Sequence, residues 1–185
     1  MLLALPLMCI AQEVNFSLTK YGKFVSTEDG KDYVVLPYEG KTAQELYSMV
    51  KSNVLTFYNS PKDVMSENEP ASLTIRARTG KLQTTYRMMG GVTDYYAYYN
   101  LSFHFKDGRI KVDAPYVDPQ LIVKSMGNAV PKSFSSYVDD WFDKQGNPKE
   151  NKKDKIQKVE RIILSPVLYL LGYTKDGNQK EEEDW

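Results

Sequence analysis

Hydrophobic and polar positions alternate in two different rhythms along this chain, and the changes of rhythm mark its elements. From Tyr95 onward the period is two. One face reads Tyr95, Ala97, Tyr99, Leu101, Phe103 and Phe105, and the other reads Tyr96, Tyr98, Asn100, Ser102, His104 and Lys106. That alternation predicts a strand with one buried face. Asp107-Gly108 then predicts a two-residue hairpin turn, because the tightest reversals need residues that tolerate positive φ. Folding back on that turn pairs Phe105 with Ile110, Phe103 with Val112, Leu101 with Ala114 and Tyr99 with Tyr116 on the inner face. His104 meets Lys111 and Ser102 meets Asp113 on the outer face. A slip of one residue would turn every side chain to the wrong side, so turn and alternation support each other independently.

A helical rhythm precedes this hairpin. Ala43, Leu46, Tyr47, Val50, Val54 and Phe57 recur at the spacing of one helix face. Thr42 followed by Glu45 is a capping box: the threonine oxygen accepts a first-turn N–H and the glutamate reaches back. Asn59, Ser60 and Pro61 end the helix. Upstream, residues 32–38 predict a short strand with Pro37 at an edge or end. Residues 28–31, Glu-Asp-Gly-Lys, predict a turn. Residues 12–31 otherwise carry few signals. Downstream of the helix, residues 62–70 read as a polar connection. Leu73, Ile75 and Ala77 then face one way, with Thr74, Arg76 and Arg78 facing the other, and residues 82–89 continue extended to the Gly90-Gly91 break.

After Tyr116 the pattern turns helical again. Asp118, Pro119 and Gly127 predict a short capped turn. Phe134, Tyr137, Val138, Trp141 and Phe142 share a helix face. Residues 150–173 begin charged and end apolar, with Pro166 expected to kink or break the helix. The expected fold class is α+β: a twisted antiparallel sheet with one helix packed on a face, plus a helical C-terminal extension. The expected organisation is a leader at 1–11, an α+β domain at 12–116, the extension at 117–173 and an acidic tail at 174–185.

Composition narrows the function. Of the 185 residues, 42% are hydrophobic, enough for a core. Lysine plus arginine equals aspartate plus glutamate, 24 against 24, so no global field draws in nucleic acid. The first eleven residues are uncharged and apolar. They are too short to span a bilayer, which takes about 20 residues, and they read as the apolar core and cleavage site of a secretory signal, cut between Ala11 and Gln12. The basic start of such a signal is missing, so the true start is expected upstream. The chain is therefore expected to be exported, periplasmic or extracellular, with no transmembrane helix. Met8 is bulkier than the residue lipid processing favours before a cysteine, which weighs against a lipid anchor at Cys9. Cys9 is the one cysteine and His104 the one histidine. A mature chain without thiols leaves no thiolate nucleophile, and one imidazole is too few for a zinc site. No cofactor or metal is expected.

The stretches at 39–47, Glu-Gly-Lys-Thr-Ala-Gln-Glu-Leu-Tyr, and 101–112, Leu-Ser-Phe-His-Phe-Lys-Asp-Gly-Arg-Ile-Lys-Val, resemble domain-of-unknown-function family 4468. Its members are secreted bacterial proteins with a TBP-like fold, and the leader ending at Ala11-Gln12 is similar too. The resemblance covers residues 31–116 and implies that fold and export. The family has no assigned catalytic residues, so it implies none here.

Three functions fit these readings. The first is a non-enzymatic binding or interaction protein of the cell envelope, using a sheet face that carries Arg76, Arg78, Tyr96, Tyr98, His104 and Lys111. Tyrosine and arginine suit recognition because they join large contact area to directional polar groups. The second is a carrier of a small apolar or aromatic ligand between sheet and helices. The third is a hydrolase using Ser102, His104 and Asp113. The apolar C-terminal helix needs a docking place, and the outer sheet face is the nearest one, so that face is expected to be covered.

Overall fold

A computed structural model describes residues 14–86, 91–125 and 132–173. The leader, with Ala11-Gln12 and Cys9, lies outside the described residues, as do Gly90, Gly127 and the acidic tail. In order, the elements are β1 (Phe16–Leu18), β2 (Phe24–Ser26), β3 (Tyr33–Pro37), α1 (Ala43–Phe57), α2 (Pro61–Val64), β4 (Met65–Asn68), β5 (Ser72–Arg78), β6 (Gln83–Tyr86), β7 (Val92–Tyr96), β8 (Tyr98–Lys106), β9 (Arg109–Asp113), β10 (Tyr116–Val117), β11 (Ile122–Ser125), α3 (Phe134–Val138) and α4 (Lys153–Leu170).

The fold is α+β and every strand pairing is antiparallel. The main sheet runs β3-β9-β8-β5-β4, with β10 also paired to β8. A second sheet runs β11-β7-β6, and β1-β2 form a small ribbon. The hairpin pairs Phe105 with Ile110, His104 with Lys111 and Phe103 with Val112, in the expected register. Phe103, Leu101 and Phe105 are buried while His104 and Ser102 stay partly open. α1 begins at Thr42, whose side chain and that of Glu45 complete both halves of the capping box. Leu46, Tyr47, Val50 and Val54 are buried, and α1 contacts β5, β8 and β9 on their inner face.

Several elements differ from the sequence reading. Residues 62–70 are not merely a polar connection: they supply α2 and β4, which pairs with β5 through main-chain bonds. An edge strand needs backbone partners more than apolar side chains, so periodicity does not report it. Residues 14–31 form the β1–β2 ribbon, with Phe16, Leu18 and Phe24 buried. The capped turn expected at 118–127 is replaced over its described part by a bridge at Gln120 and by β11, where β-branched Ile122 and Val123 pair with Tyr96 and Tyr95. Val117 and Ile122–Ser125 are therefore strand residues, where a helical extension was expected. Phe57 is exposed, resting on Tyr58 and Tyr169 at the end of α1.

Pro166 does not break α4, which runs through it; its ring is buried. The helix is long enough to lose one main-chain bond while tertiary contacts hold both halves. α4 docks on α1 and β1, not on the outer sheet face. Asn53 on α1 donates to the Leu170 carbonyl at 3.0 Å, and the Leu18 N–H donates to Glu160 at 2.8 Å.

Two joints shape the outer face. Between the Arg78–Tyr98 and Gln83–Tyr95 pairs, residues 79–82 stand opposite only residues 96–97. The long ribbon therefore kinks from one sheet into the other. The second joint is at Ala114-Pro115. The expected pairs Leu101–Ala114 and Tyr99–Tyr116 do not form; Tyr116 pairs with Asn100 and Val117 with Tyr99. Proline has no N–H for the ladder, so the strand bulges by one residue there. Val117 takes the inner position and Tyr116 turns outward, 54% exposed.

Candidate functional site

The outer face of the main sheet collects alternate residues of β5, β8, β9 and β3, because strand side chains alternate and the inner set is taken by the core. Arg76, Arg78 and Tyr98 are exposed there, with Tyr96 and His104 half-buried. The expectation that residues 156–173 cover this face is corrected by the structure. The apolar side of α4 is spent on α1 and β1, where Ile156, Val159, Ile163 and Val167 are buried.

The face divides into two clusters. In the first, the Arg76 guanidinium lies 5.3 Å from the centre of the Tyr98 ring, and that of Arg78 lies 4.9 Å from the Tyr96 ring. Lys124, from β11, stands 5.6 Å from the same Tyr96 ring. Such cation–ring contacts hold both partners in place. Arg76 also donates to Asp118 at 2.6 Å. Among the described residues Arg78 has no hydrogen bond or ion pair beyond its ring contact, and it is exposed. Neither Asp118, read from the sequence as a cap, nor Lys124 was expected on this face. The Ala114-Pro115 bulge and the β11 pairing bring them here, and neither had a local signal.

In the second cluster, His104 Nε2 and Asp113 Oδ2 are 2.8 Å apart, and Lys111 donates to the other oxygen of Asp113 at 2.8 Å. The hydrogen bond to Asp113 raises the Lys111 pKa. Lys111 also sits 4.9 Å from the Tyr33 ring. Arg76, Arg78, Tyr98, His104 and Lys111 thus lie on the outer face of the main sheet, and Tyr96, on β7 of the second sheet, reaches them through Arg78.

Chemistry is harder to assemble from these groups. Ser102 bonds to Thr74 across the β5–β8 pair at 3.2 Å, while His104 bonds to Asp113. Among the described residues no hydrogen bond joins Ser102 to His104, so the serine–imidazole link of a triad is not formed. The layer between α1 and the sheet, where a carried ligand would sit, is filled by Leu46, Val50, Leu101 and Phe103, each at most 1% exposed. Among the described residues no group of three or more potential metal ligands occurs, and no helix is long and apolar enough to cross a membrane.

Neither a family model nor a curated protein matches the sequence. In fold, the chain is similar to a crystal structure of a DUF4468 family protein from Bacteroides ovatus ATCC 8483. The identity is 11% and the TM-score 0.53, with 89% of this chain and 91% of that chain covered. The likeness is one of fold, and it falls on the same family that residues 39–47 and 101–112 resemble.

Proposed function

We propose that this chain is an exported member of the DUF4468 family and acts without catalysis, as a binding or interaction module of the cell envelope. Its contact surface is the outer sheet face around Arg76, Arg78, Tyr96 and Tyr98. The observation that carries this reading is the exposure of Arg78, held over the Tyr96 ring beside a Tyr98 that is 41% exposed. Arginine and tyrosine held rigidly before contact lose little entropy on binding. The uncharged apolar leader supports export.

Site-specific photocrosslinking in the source cells tests the reading. A photoreactive residue at position 98 is expected to give a discrete adduct in the envelope fraction, and Arg76→Ala with Arg78→Ala is expected to abolish it. The same residue at position 55, exposed on α1, is the control. Adducts of equal strength at 55 and 98, or none at 98, would refute the proposal, as would a chain retained in the cytoplasm with its leader uncut.

A further inference from the structure

A second feature lies beside this face and shares Lys111 and Asp113 with its second cluster. A half-open cleft of about 650 Å³ runs between the β1–β2 turn, the Ala114-Pro115 bulge and the start of α3. Its volume lies within the range of small-molecule sites, about 300–1,000 Å³. The floor is apolar, made by buried Phe24, Pro115 and Phe134. Two tyrosines line its edge. Tyr21 is 69% exposed and Tyr116 54%.

Neither tyrosine is left loose. The bulge turns Tyr116 outward while Val117 occupies the core position that alternation assigns to tyrosine. Bulges of this kind commonly re-aim a side chain next to a site. Tyr21 sits on a turn closed by the Gly22 N–H to the Thr19 carbonyl, 3.0 Å, and the Thr19 N–H to the Lys23 carbonyl, 2.8 Å. Lys20 lies 5.2 Å from the Tyr21 ring and donates to the Lys144 carbonyl. Gly22 has φ +73°, and a Cβ there would stand 3.1 Å from the Phe134 ring. The turn therefore packs against α3 as closely as its backbone allows.

The polar groups of the cleft decide the class of ligand. Lys23 and Lys111 contribute two positive charges, Asp32 and Asp113 two negative ones. Among the described residues no hydrogen bond or ion pair engages the side chains of Lys23 or Asp32, and Asp32 has a longer-range attraction for Lys111, so one strong donor and one strong acceptor are available to a ligand. An anion would meet two carboxylates, and a cation two ammonium groups. An aliphatic chain would strip water from all four charges without replacing it. A neutral molecule whose hydroxyls donate and accept together, and whose C–H faces lie flat on tyrosine rings, satisfies every wall at once. We propose that this cleft binds a neutral saccharide, stacked on Tyr21 and Tyr116 and hydrogen-bonded to Lys23 and Asp32.

The test is an array of neutral and acidic oligosaccharides built from hexoses, N-acetylhexosamines and pentoses, followed by calorimetry on the full chain with the best neutral binder. Binding of at least one neutral oligosaccharide is expected. Tyr116→Ala and Tyr21→Ala, both at exposed positions, are expected to raise its Kd by about tenfold or more each, and Asp32→Asn to weaken it as well. Tyr98→Ala, on the open sheet face, is expected to leave it unchanged, which separates this site from the surface proposed above. Binding of acidic oligosaccharides only, binding of none, or neutral binding that survives both tyrosine substitutions would overturn the proposal.

Discussion

Thr79 and Ala97 grip each other twice: the Thr79 N–H donates to the Ala97 carbonyl at 2.8 Å, and the Ala97 N–H donates to the Thr79 hydroxyl at 3.0 Å. Both residues are buried, Ala97 completely. The second bond stands in for a ladder bond lost where the ribbon kinks between sheets. Thr79→Val keeps the shape and removes the acceptor, orphaning a buried N–H. A loss of about 1–3 kcal/mol is expected in urea unfolding, with Thr79→Ser recovering most of it.

The hairpin turn also serves the helix. Asp107 Oδ1 accepts the Ala43 N–H at 2.8 Å, and the Gly108 N–H donates to the Lys41 carbonyl at 2.8 Å. Gly108 has φ +74° with open space where a Cβ would go. Gly108→Ala therefore costs backbone strain alone, about 1–2 kcal/mol. Asp107→Ala leaves the turn glycine intact and removes a first-turn acceptor from α1, with an expected loss of about 0.5–2 kcal/mol. Denaturation midpoints of the two variants check both values.

Glu160 gives α4 a pH dependence. Burial raises its pKa, against the lowering effect of the Leu18 N–H. A carboxyl whose pKa is higher folded than unfolded holds its proton more tightly in the native state. Its contribution is thus most favourable below the ordinary carboxyl value and declines as pH rises through the window up to the folded value. Glu67, lowered by its bonds to Tyr47 and Lys51, acts in the opposite sense: it supports the fold at neutral pH and loses that effect in acid. Glu160→Gln keeps an acceptor for Leu18 and removes the titration. The stability of this variant relative to the parent is expected to rise as the pH increases from the ordinary carboxyl value towards neutrality, measured by unfolding across that range. A flat difference would count against a raised Glu160.

The two faces of the main sheet should respond very differently to truncation. Phe103 is fully buried, and Phe103→Ala is expected to cost about 3–5 kcal/mol. Tyr98→Ala and Arg78→Ala, on the open face, are expected to stay within about 0.5 kcal/mol of the parent. Thermal or urea unfolding separates the two cases, and a large loss at Arg78 would mean that the face is structural.

Much of this could be read from the chain directly. The Thr42–Glu45 cap, the period of α1 and the Asp107-Gly108 reversal are local, so residues within a turn or two of each other specify them. Alternation along the strands by itself places Arg76, Arg78, Tyr98 and His104 on one side of the sheet. Other features needed partners distant in sequence. β4 and β11 exist because β5 and β7 offer them backbone hydrogen bonds. Tyr116 faces out because Pro115 cannot continue a ladder that β8 defines. The outer face is open because α1 and β1 together offer α4 a better apolar seat than the sheet does. An amphipathic helix reports that it has a face to bury but not which surface will receive it, since that depends on the competing contact areas formed only when the whole chain packs.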